Sequence, residues 1–551
     1  MGNIKYRRGT WWFFLIICCA YLSQLGAYGL LEPDEGRYAE MAREMSGPGG
    51  NWVIPHLDGV PHFQKPPVVY WLLAGSVKLM GNTEVAVRLP GALAALATLL
   101  LTMGIASRLF GARHALVALA ILASSPLFIA MGRVVTPDMV MTSMITLAIY
   151  GLVRSRESAR WGWLFFIGAG LGFLTKGPVA FLVPFSAALG WVISSHRTSR
   201  PGPQLSWPAG VPLMMFIGLS WHLLVVAKFP DLAVYFWKHE LVERFASSTH
   251  GRSQPIWFFV PVLLAGFLPW TWAALGRVSS FGKSYQDLLG LFIGWMIIPF
   301  LVLSLSGSKL ATYILPLFPG LAVGLAAALI QGLEEAEVGK AMPMITRWLM
   351  GLFMVGLACA PLLVTIYTAG DLESSLWGLW CWTALMEGAA IAWIVWTRRD
   401  RREYAYVALA ILIVLGLLPI PSQLNLWNKL LGRQASVRLL AERIRKDSAS
   451  LTVEPEVIAC GVRAWGLPFY LERVVGITED SADASFHGKV FPGTENGPVI
   501  YKSKMEVASL DPLDESAIFV LTRVGKYEKA FNMKEWEILE RAGDFVLLRH
   551  Q

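Results

Sequence analysis

From Trp11 onward the chain is a succession of apolar runs separated by short polar stretches. The runs lie at about 11–31, 89–107, 114–131, 138–153, 161–176, 178–195, 208–228, 256–276, 287–306, 310–331, 346–367, 376–396 and 404–421. Crossing a bilayer takes a helix of about 20 apolar residues, so the pattern predicts about 13 transmembrane helices. Two segments depart from it. Arg37–Met45 alternates polar and apolar positions at helical spacing and predicts a short amphipathic helix lying on the membrane surface. Val68–Met80 is apolar but short for a span, and predicts a helix in the interface. After Pro421 the pattern changes again. Val437–Lys446 reads as an amphipathic helix, and Val457–Val462, Ala517–Thr522 and Phe545–Arg549 read as strands. The expected fold is an all-α polytopic membrane protein with a C-terminal soluble α/β domain, divided as residues 1–425 and 426–551.

Composition agrees with the pattern. Hydrophobic residues make up 55% of the 551 and charged residues 16%, where a soluble protein carries about a quarter. That excludes a chain solvated on all sides, and also disorder and collagen-like repeats. The net charge of +8 could suggest nucleic acid, but the cations sit in short loops, where they set topology. Arg108 and Arg113; Arg154, Arg156 and Arg160; Arg197 and Arg200; Arg277 and Lys283; Lys340 and Arg347; and Arg398, Arg399, Arg401 and Arg402 fall in alternate loops. Those loops are assigned to the cytoplasm, with the amino terminus. Arg133, Lys176 and Lys309 then stand alone in outer loops. The first run lacks a small-residue cleavage pattern and is expected to stay as a helix. The odd span count puts the tail outside, in the periplasm of a Gram-negative host. Five cysteines make no disulfide framework. No internal repeat is evident, which weakens a transporter reading.

Two outer loops are too long to be turns, 32–88 and 230–255, and both carry chemistry. Glu32-Pro-Asp34-Glu35-Gly-Arg37 sets three carboxylates at the exit of the first helix. His62-Phe-Gln-Lys65-Pro-Pro67 places a cation beside two prolines that stiffen its backbone, which suits a lipid phosphate at headgroup level. Asp138 follows Thr136-Pro137 and serves either as a helix-capping residue or as a functional acid. Lys176 and Lys309 are outer cations that topology does not require, and such residues near a bilayer are kept for a partner. His239, Glu240, Glu243 and Arg244 pair at helical spacing, which leaves His250 and Arg252 unexplained. One membrane face thus gathers carboxylates and cations, pointing to an anionic, phosphate-bearing ligand. Metal binding by His62, His239 or His250 with a glutamate is conceivable, without a supporting ligand spacing.

These motifs carry a resemblance. Glu32–Glu40, Trp52, His62–Pro67, Tyr70-Trp71, Arg88-Leu-Pro90, Leu174–Pro178, Glu243-Arg-Phe245, Gln254–Trp257, Leu268-Pro-Trp270 and Lys309–Pro316 resemble, in order, the polyprenyl-phosphate-sugar-dependent GT-C glycosyltransferases. Within them the chain is most similar to the lipid A 4-amino-4-deoxy-L-arabinose transferase family. The likeness runs from about residue 11 to 320, and beyond that it is span count and a soluble tail. Gln64 stands where some relatives are expected to carry an acid. The resemblance implies a donor of undecaprenyl phosphate bearing aminoarabinose, a lipid A phosphate as acceptor, and inversion at the anomeric carbon. It implies Asp34, Glu35 and Asp138 as catalytic, and Lys65, Arg252, Lys309 and Tyr313 as binding the donor phosphate. Arg37, His62, Lys176 and His250 are supporting residues. No cofactor is required, a divalent metal stays open, and a monomer in the bacterial inner membrane is expected. The same features would serve a protein O-mannosyltransferase or a glycan-modifying enzyme of this fold. A lipid-linked sugar carrier fits them less well.

Overall fold

The computed structural model describes residues 8–236, 254–275, 285–335, 410, 436–478, 500–501, 504–510, 517–525, 531–532 and 534–550. The runs at 346–367 and 376–396, nearly all of 404–421, and His239, Glu240, Glu243, Arg244, His250 and Arg252 lie outside these residues. In chain order come α1 (Arg8–Leu22), α2 (Asp34–Ser46), a hairpin of β1 (His56–Leu57) and β2 (Val60–Pro61), α3 (Val68–Met80), α4 (Glu84–Phe110), α5 (Ala112–Ala123), α6 (Pro126–Met131), α7 (Pro137–Arg154), α8 (Trp163–Lys176), α9 (Val179–Thr198) and α10 (Trp207–Lys228). The chain divides into two compact units, one of residues 1–23 and 91–420, the other of 24–90 and 421–551.

The first unit is helical. Among the described residues, five helices are long and apolar enough to cross a membrane: Glu84–Phe110, Val179–Thr198, Trp207–Lys228, Gln286–Leu305 and Ala311–Gln331. The chain is a multi-pass membrane protein. In lipid there is no hydrophobic drive between helices, so contact depends on close approach at small residues. A Cβ on Gly168 of α8 would lie 2.6 Å from the Met144 carbonyl oxygen of α7. One on Gly190 of α9 would lie 2.1 Å from the Gly290 carbonyl oxygen. Ser186 Oγ of α9 donates to the Gly294 carbonyl across the same seam, where a π-helical stretch, Ile293–Ile297, interrupts the 286–305 helix.

Several apolar runs are broken where the pattern predicts one helix. The run 11–31 ends as helix at Leu22; Gln24 has φ 55°, and buried Arg133 donates to the carbonyls of Ala20 and Ser23 at 3.0 and 2.9 Å. Its guanidinium satisfies groups that a longer helix would have bonded internally. The run 114–131 splits at Ser124-Ser125, whose hydroxyls turn back to the Ala120 and Ile121 carbonyls, before Pro126, which has no N–H. The run 256–276 becomes Phe259–Gly266 and Trp270–Leu275, parted at Pro269.

The second unit joins the first outer segment to the tail. The tail holds a six-stranded sheet in the order β5-β4-β3-β6-β8-β7, with β3 (Glu456–Ala459), β4 (Gly476–Thr478), β5 (Ile500–Tyr501), β6 (Ile518–Arg523), β7 (Trp536–Ala542) and β8 (Phe545–His550). The β5-β4-β3-β6 half is parallel, and β8 pairs antiparallel with both β6 and β7. Ile458, Val520, Phe531, Trp536, Val546 and Leu548 form its core. Helices Arg438–Ser448 and Gly466–Leu471 accompany the sheet.

Here α2 departs from expectation. It is no surface helix, because Glu35, Tyr38, Glu40, Met41 and Met45 are buried. The Tyr38 ring stacks on Tyr70 of α3 at 5.8 Å. The polar residues that suggested a solvated face satisfy each other instead: Arg43 donates to both oxygens of Glu40, and Glu44 accepts the Gly59 N–H at 2.9 Å. By contrast α3 keeps an open apolar face, with Leu72, Leu79 and Met80 exposed.

One side chain organises the outer segment. Arg88 is fully buried and spends all five of its N–H donors. Two go to the Glu35 carboxylate at 3.0 and 2.7 Å. Three go to the carbonyls of Leu25, Tyr28 and Gly29 at 2.7, 2.8 and 2.9 Å. The guanidinium also lies 3.8 Å from the Tyr28 ring centroid. Removing one partner of such a pair strands a buried charge, at about 3–5 kcal/mol. Arg88→Leu should therefore sharply lower the melting temperature and yield of monodisperse full-length protein, and the Arg88→Leu/Glu35→Leu double variant should recover part of the loss. An Arg88→Leu protein as stable as wild type would show that the pair does not hold this segment.

Candidate functional site

The candidate residues of the outer segment are mounted on α2 and on the approach to α3. Asp34 is the first residue of α2, where a carboxylate complements the helix dipole. It is exposed, its side chain 57% accessible, and accepts from Arg37 Nη2 at 2.7 Å. Arg37 in turn lies over the Tyr38 ring. Glu35 is one residue further and in a different environment. It is buried, both its oxygens face Arg88, and Oε2 also takes the Leu31 N–H at 2.9 Å. The residue expected to be catalytic is thus the internal counter-ion of Arg88 in this fold. His62 is buried, and its main-chain N–H donates to the Pro55 carbonyl at 2.8 Å. Lys65 is half-buried, and its ammonium donates to the Gln64 carbonyl at 2.9 Å. Pro66 and Pro67 fix the chain behind it, and α3 starts at Val68.

The membrane unit brings three other candidates together. Asp138 is the second residue of α7, after Thr136 at the N-cap and Pro137 in the first turn, an arrangement in which the missing proline N–H costs nothing. Its carboxylate is buried and receives the ammonium of Lys176. Lys176 is the last residue of α8, which stops at Gly177 with φ 91°. An anion at one helix start and a cation at another helix end are each favoured by the local dipole. The same ammonium sits 4.6 Å from the ring centroid of Tyr313, in the 3₁₀ stretch Ala311–Leu317. The ammonium therefore sits between a carboxylate and an aromatic face, in surroundings where such charge is costly unless paired.

Lys309 is placed differently. It is buried, and its ammonium donates to the carbonyls of Gln254 and Ser306 at 2.9 and 2.6 Å, tying residue 254 to the turn at 306–309. Arg252 and His250 lie outside the described residues. Among the described residues no group of three His, Cys, Asp or Glu side chains is arranged to hold a metal ion.

The sequence reading gave Arg88 and Arg133 no role, yet both are buried cations that gather main-chain carbonyls. The available signal was position. Arg133 is an outer-side cation against the topological bias, and Arg88 precedes Leu-Pro90 near the start of an apolar run. Chemically, the outer segment carries an exposed acid and a conformationally restrained lysine, and the membrane unit, by itself, carries a buried acid paired with a half-buried lysine beside a tyrosine ring. Such groups can hold phosphate and counter charge developing on a leaving oxygen.

Comparison with known proteins gives consistent results. A family model described as dolichyl-phosphate-mannose-protein mannosyltransferase matches residues 64–223. The fold is that of the ArnT crystal structure from Cupriavidus metallidurans bound to undecaprenyl phosphate, with a TM-score of 0.78, 98% of each chain covered and 22% identity. An undecaprenyl phosphate-α-4-amino-4-deoxy-L-arabinose arabinosyl transferase from Edwardsiella ictaluri (strain 93-146) is 35% identical over 350 residues, 60% of this chain and 61% of that enzyme. The chain thus spans less than two thirds of that relative. With the corresponding transferase 2 of Pseudomonas fluorescens (strain Pf0-1) the identity is 31% over 415 residues, 73% of this chain and 74% of the other. At that identity and coverage, the chain belongs to the undecaprenyl phosphate-α-4-amino-4-deoxy-L-arabinose arabinosyl transferase family, on a membrane GT-C fold.

Proposed function

We propose that the protein moves 4-amino-4-deoxy-L-arabinose from undecaprenyl phosphate to a phosphate of lipid A. The observation that carries this reading is the group of buried Asp138 with half-buried Lys176 and Tyr313, set at helix termini in a chain of this family. In the reaction an oxygen of the acceptor phosphate attacks the anomeric carbon. The bond to the donor phosphate breaks with its electron pair staying on oxygen, and the configuration inverts. A phosphate monoester with a second pKa near ~6 is already ionised at neutral pH, so the attack requires no general base and the scheme no cofactor. The rate then depends on cations that meet charge growing on the leaving phosphate.

Lys65 is assigned to that charge, with Arg252, Lys309 and the Tyr313 hydroxyl. Asp34 and Asp138 orient the acceptor or pair with the donor's ammonium. Asp138 also holds Lys176, which makes Lys176 a supporting cation of the site. Arg37, His62 and His250 support these groups. In this reading the chain has 13 spans with a cytoplasmic amino terminus in the bacterial inner membrane, acts as a monomer, and carries its active site and a soluble α/β tail in the periplasm. Capping a phosphate with an amino sugar replaces negative charge by positive, weakening the hold of polymyxin and other cationic peptides.

Mass spectrometry of lipid A tests the reaction. A polymyxin-sensitive strain lacking its own transferase but making the donor should gain an aminoarabinose-sized mass when it expresses this chain. Unmodified lipid A beside folded protein would refute the acceptor, and a modified protein or glycan would identify the mannosyl-type alternative. For the site, Lys65→Ala should lower kcat by about 100-fold or more, whereas Lys78→Ala, whose lysine lies over the Trp52 ring, should stay close to wild type. Asp138→Asn and Lys176→Met should each cost about as much as the two together, the mark of residues that act as a unit. Additive losses would separate their roles.

A further inference from the structure

Asp34 is an exposed acid with buried neighbours on both sides, Glu32 and Glu35. Glu35 is held by Arg88. Glu32 is held by the far end of the sequence: its Oε1 accepts the Gly466 N–H at 2.7 Å, with the Trp465 N–H beside it. Two glycines make room for this grip. A Cβ on Gly466 would lie 2.3 Å from Glu32 Oε1. A Cβ on Gly36 would lie 2.4 Å from the Gly466 nitrogen and 2.6 Å from the same carboxyl oxygen. Neither position can gain a methyl group without displacing the carboxyl. The same stretch of tail reaches the outer segment twice more. The Tyr470 hydroxyl accepts the Leu30 N–H at 2.8 Å and meets Glu84 at 3.0 Å, and the Val475 N–H donates to Asp58 at 3.0 Å.

From this geometry we infer that Glu32 is a positioning residue for Asp34, and that the tail takes part in the chemistry by gripping Glu32 at Gly466 and so fixing where α2 begins. The inference rests on the reading of Asp34 as a site residue. It gives the tail a task that needs no catalytic group of its own. A displacement of about 1 Å at a reacting group can cost about 100-fold in rate.

The clamp also titrates. Burial pushes the Glu32 carboxyl up to about 8 from 4.5; the N–H groups of Gly466 and Trp465 oppose this, while Glu35 and Asp34 on α2 add to it. In the folded protein Glu32 then keeps its proton where the unfolded chain has lost it. Its contribution to stability is complete below about pH 4.5 and is lost as pH rises toward 8. Asp58, buried near Glu40 and Arg43, is shifted in the same direction by burial first and Glu40 second, and adds to the alkaline loss.

The test compares wild type with Glu32→Ala, Glu32→Gln and Gly466→Ala as full-length enzyme in lipid nanodiscs. It measures kcat, the donor KM, and amide exchange over residues 30–46 between about pH 6 and 9. Glu32→Ala and Gly466→Ala should lose about 10- to 100-fold in kcat, with little change in donor KM and faster exchange in α2. Glu32→Gln keeps the acceptor oxygen without an ionisable proton. It should restore most of kcat and show a smaller decline near pH 8 than wild type. Wild-type kcat and exchange in Gly466→Ala would overturn the inference, as would a Glu32→Gln as damaged as Glu32→Ala. A wild type that transfers no sugar would refute the functional reading alone, and exchange in α2 would then decide the clamp. Should neither alanine variant fold, the Glu32→Gln pH profile decides it.

Discussion

The outer segment is organised by a single buried charge. Arg88 carries five donors in one plane, and none of them reaches water. A guanidinium in that position is tolerable only if every donor is met and its charge is balanced, and the chain between Leu25 and Glu35 folds so as to do both. Three consecutive-turn carbonyls and one carboxylate converge on it. Because Glu35 lies next to Asp34 at the start of α2, the pair that satisfies a buried cation also fixes the frame on which an exposed acid is carried.

A comparable rule applies among the apolar helices, where cations and carbonyls replace solvent. Arg133 closes the end of α1, and Lys309 bridges Gln254 to Ser306. Lys176 differs in kind. Its partners are the Asp138 carboxylate and an aromatic face, both of which interact through charge. An ammonium held this way is largely desolvated, which strengthens its interaction with the carboxylate. Arg133 and Lys309 donate instead to main-chain oxygens.

Much of the helical layout was legible because lipid demands continuous apolar length, and the runs at 89–107, 138–153, 178–195 and 208–228 match α4, α7, α9 and α10 closely. The run ending at Leu31 was overcounted because hydropathy does not see Arg133 waiting for carbonyls at residue 20. The α2 segment misled for another reason. Its pattern is amphipathic, but pattern alone does not tell water from a salt-bridged interior, and Glu40–Arg43 supplies the latter. Asp138 and Lys176 were each legible as out-of-place charges. That they form one group was not, since 38 residues separate them. Glu32's partner lies 434 residues away, at a distance where one sequence gives no register.

That last separation bears on how the molecule is made. The segment 24–90 is synthesised before the stretch that grips it, 465–475, with the apolar helices in between. Contacts between such distant residues carry a large loop-closure cost and form slowly. Until then Glu32 and Asp58 lack the main-chain N–H groups of Gly466 and Val475, and α2 lacks part of its covering. The frame that carries Asp34 is therefore complete only after the intervening apolar helices have been made.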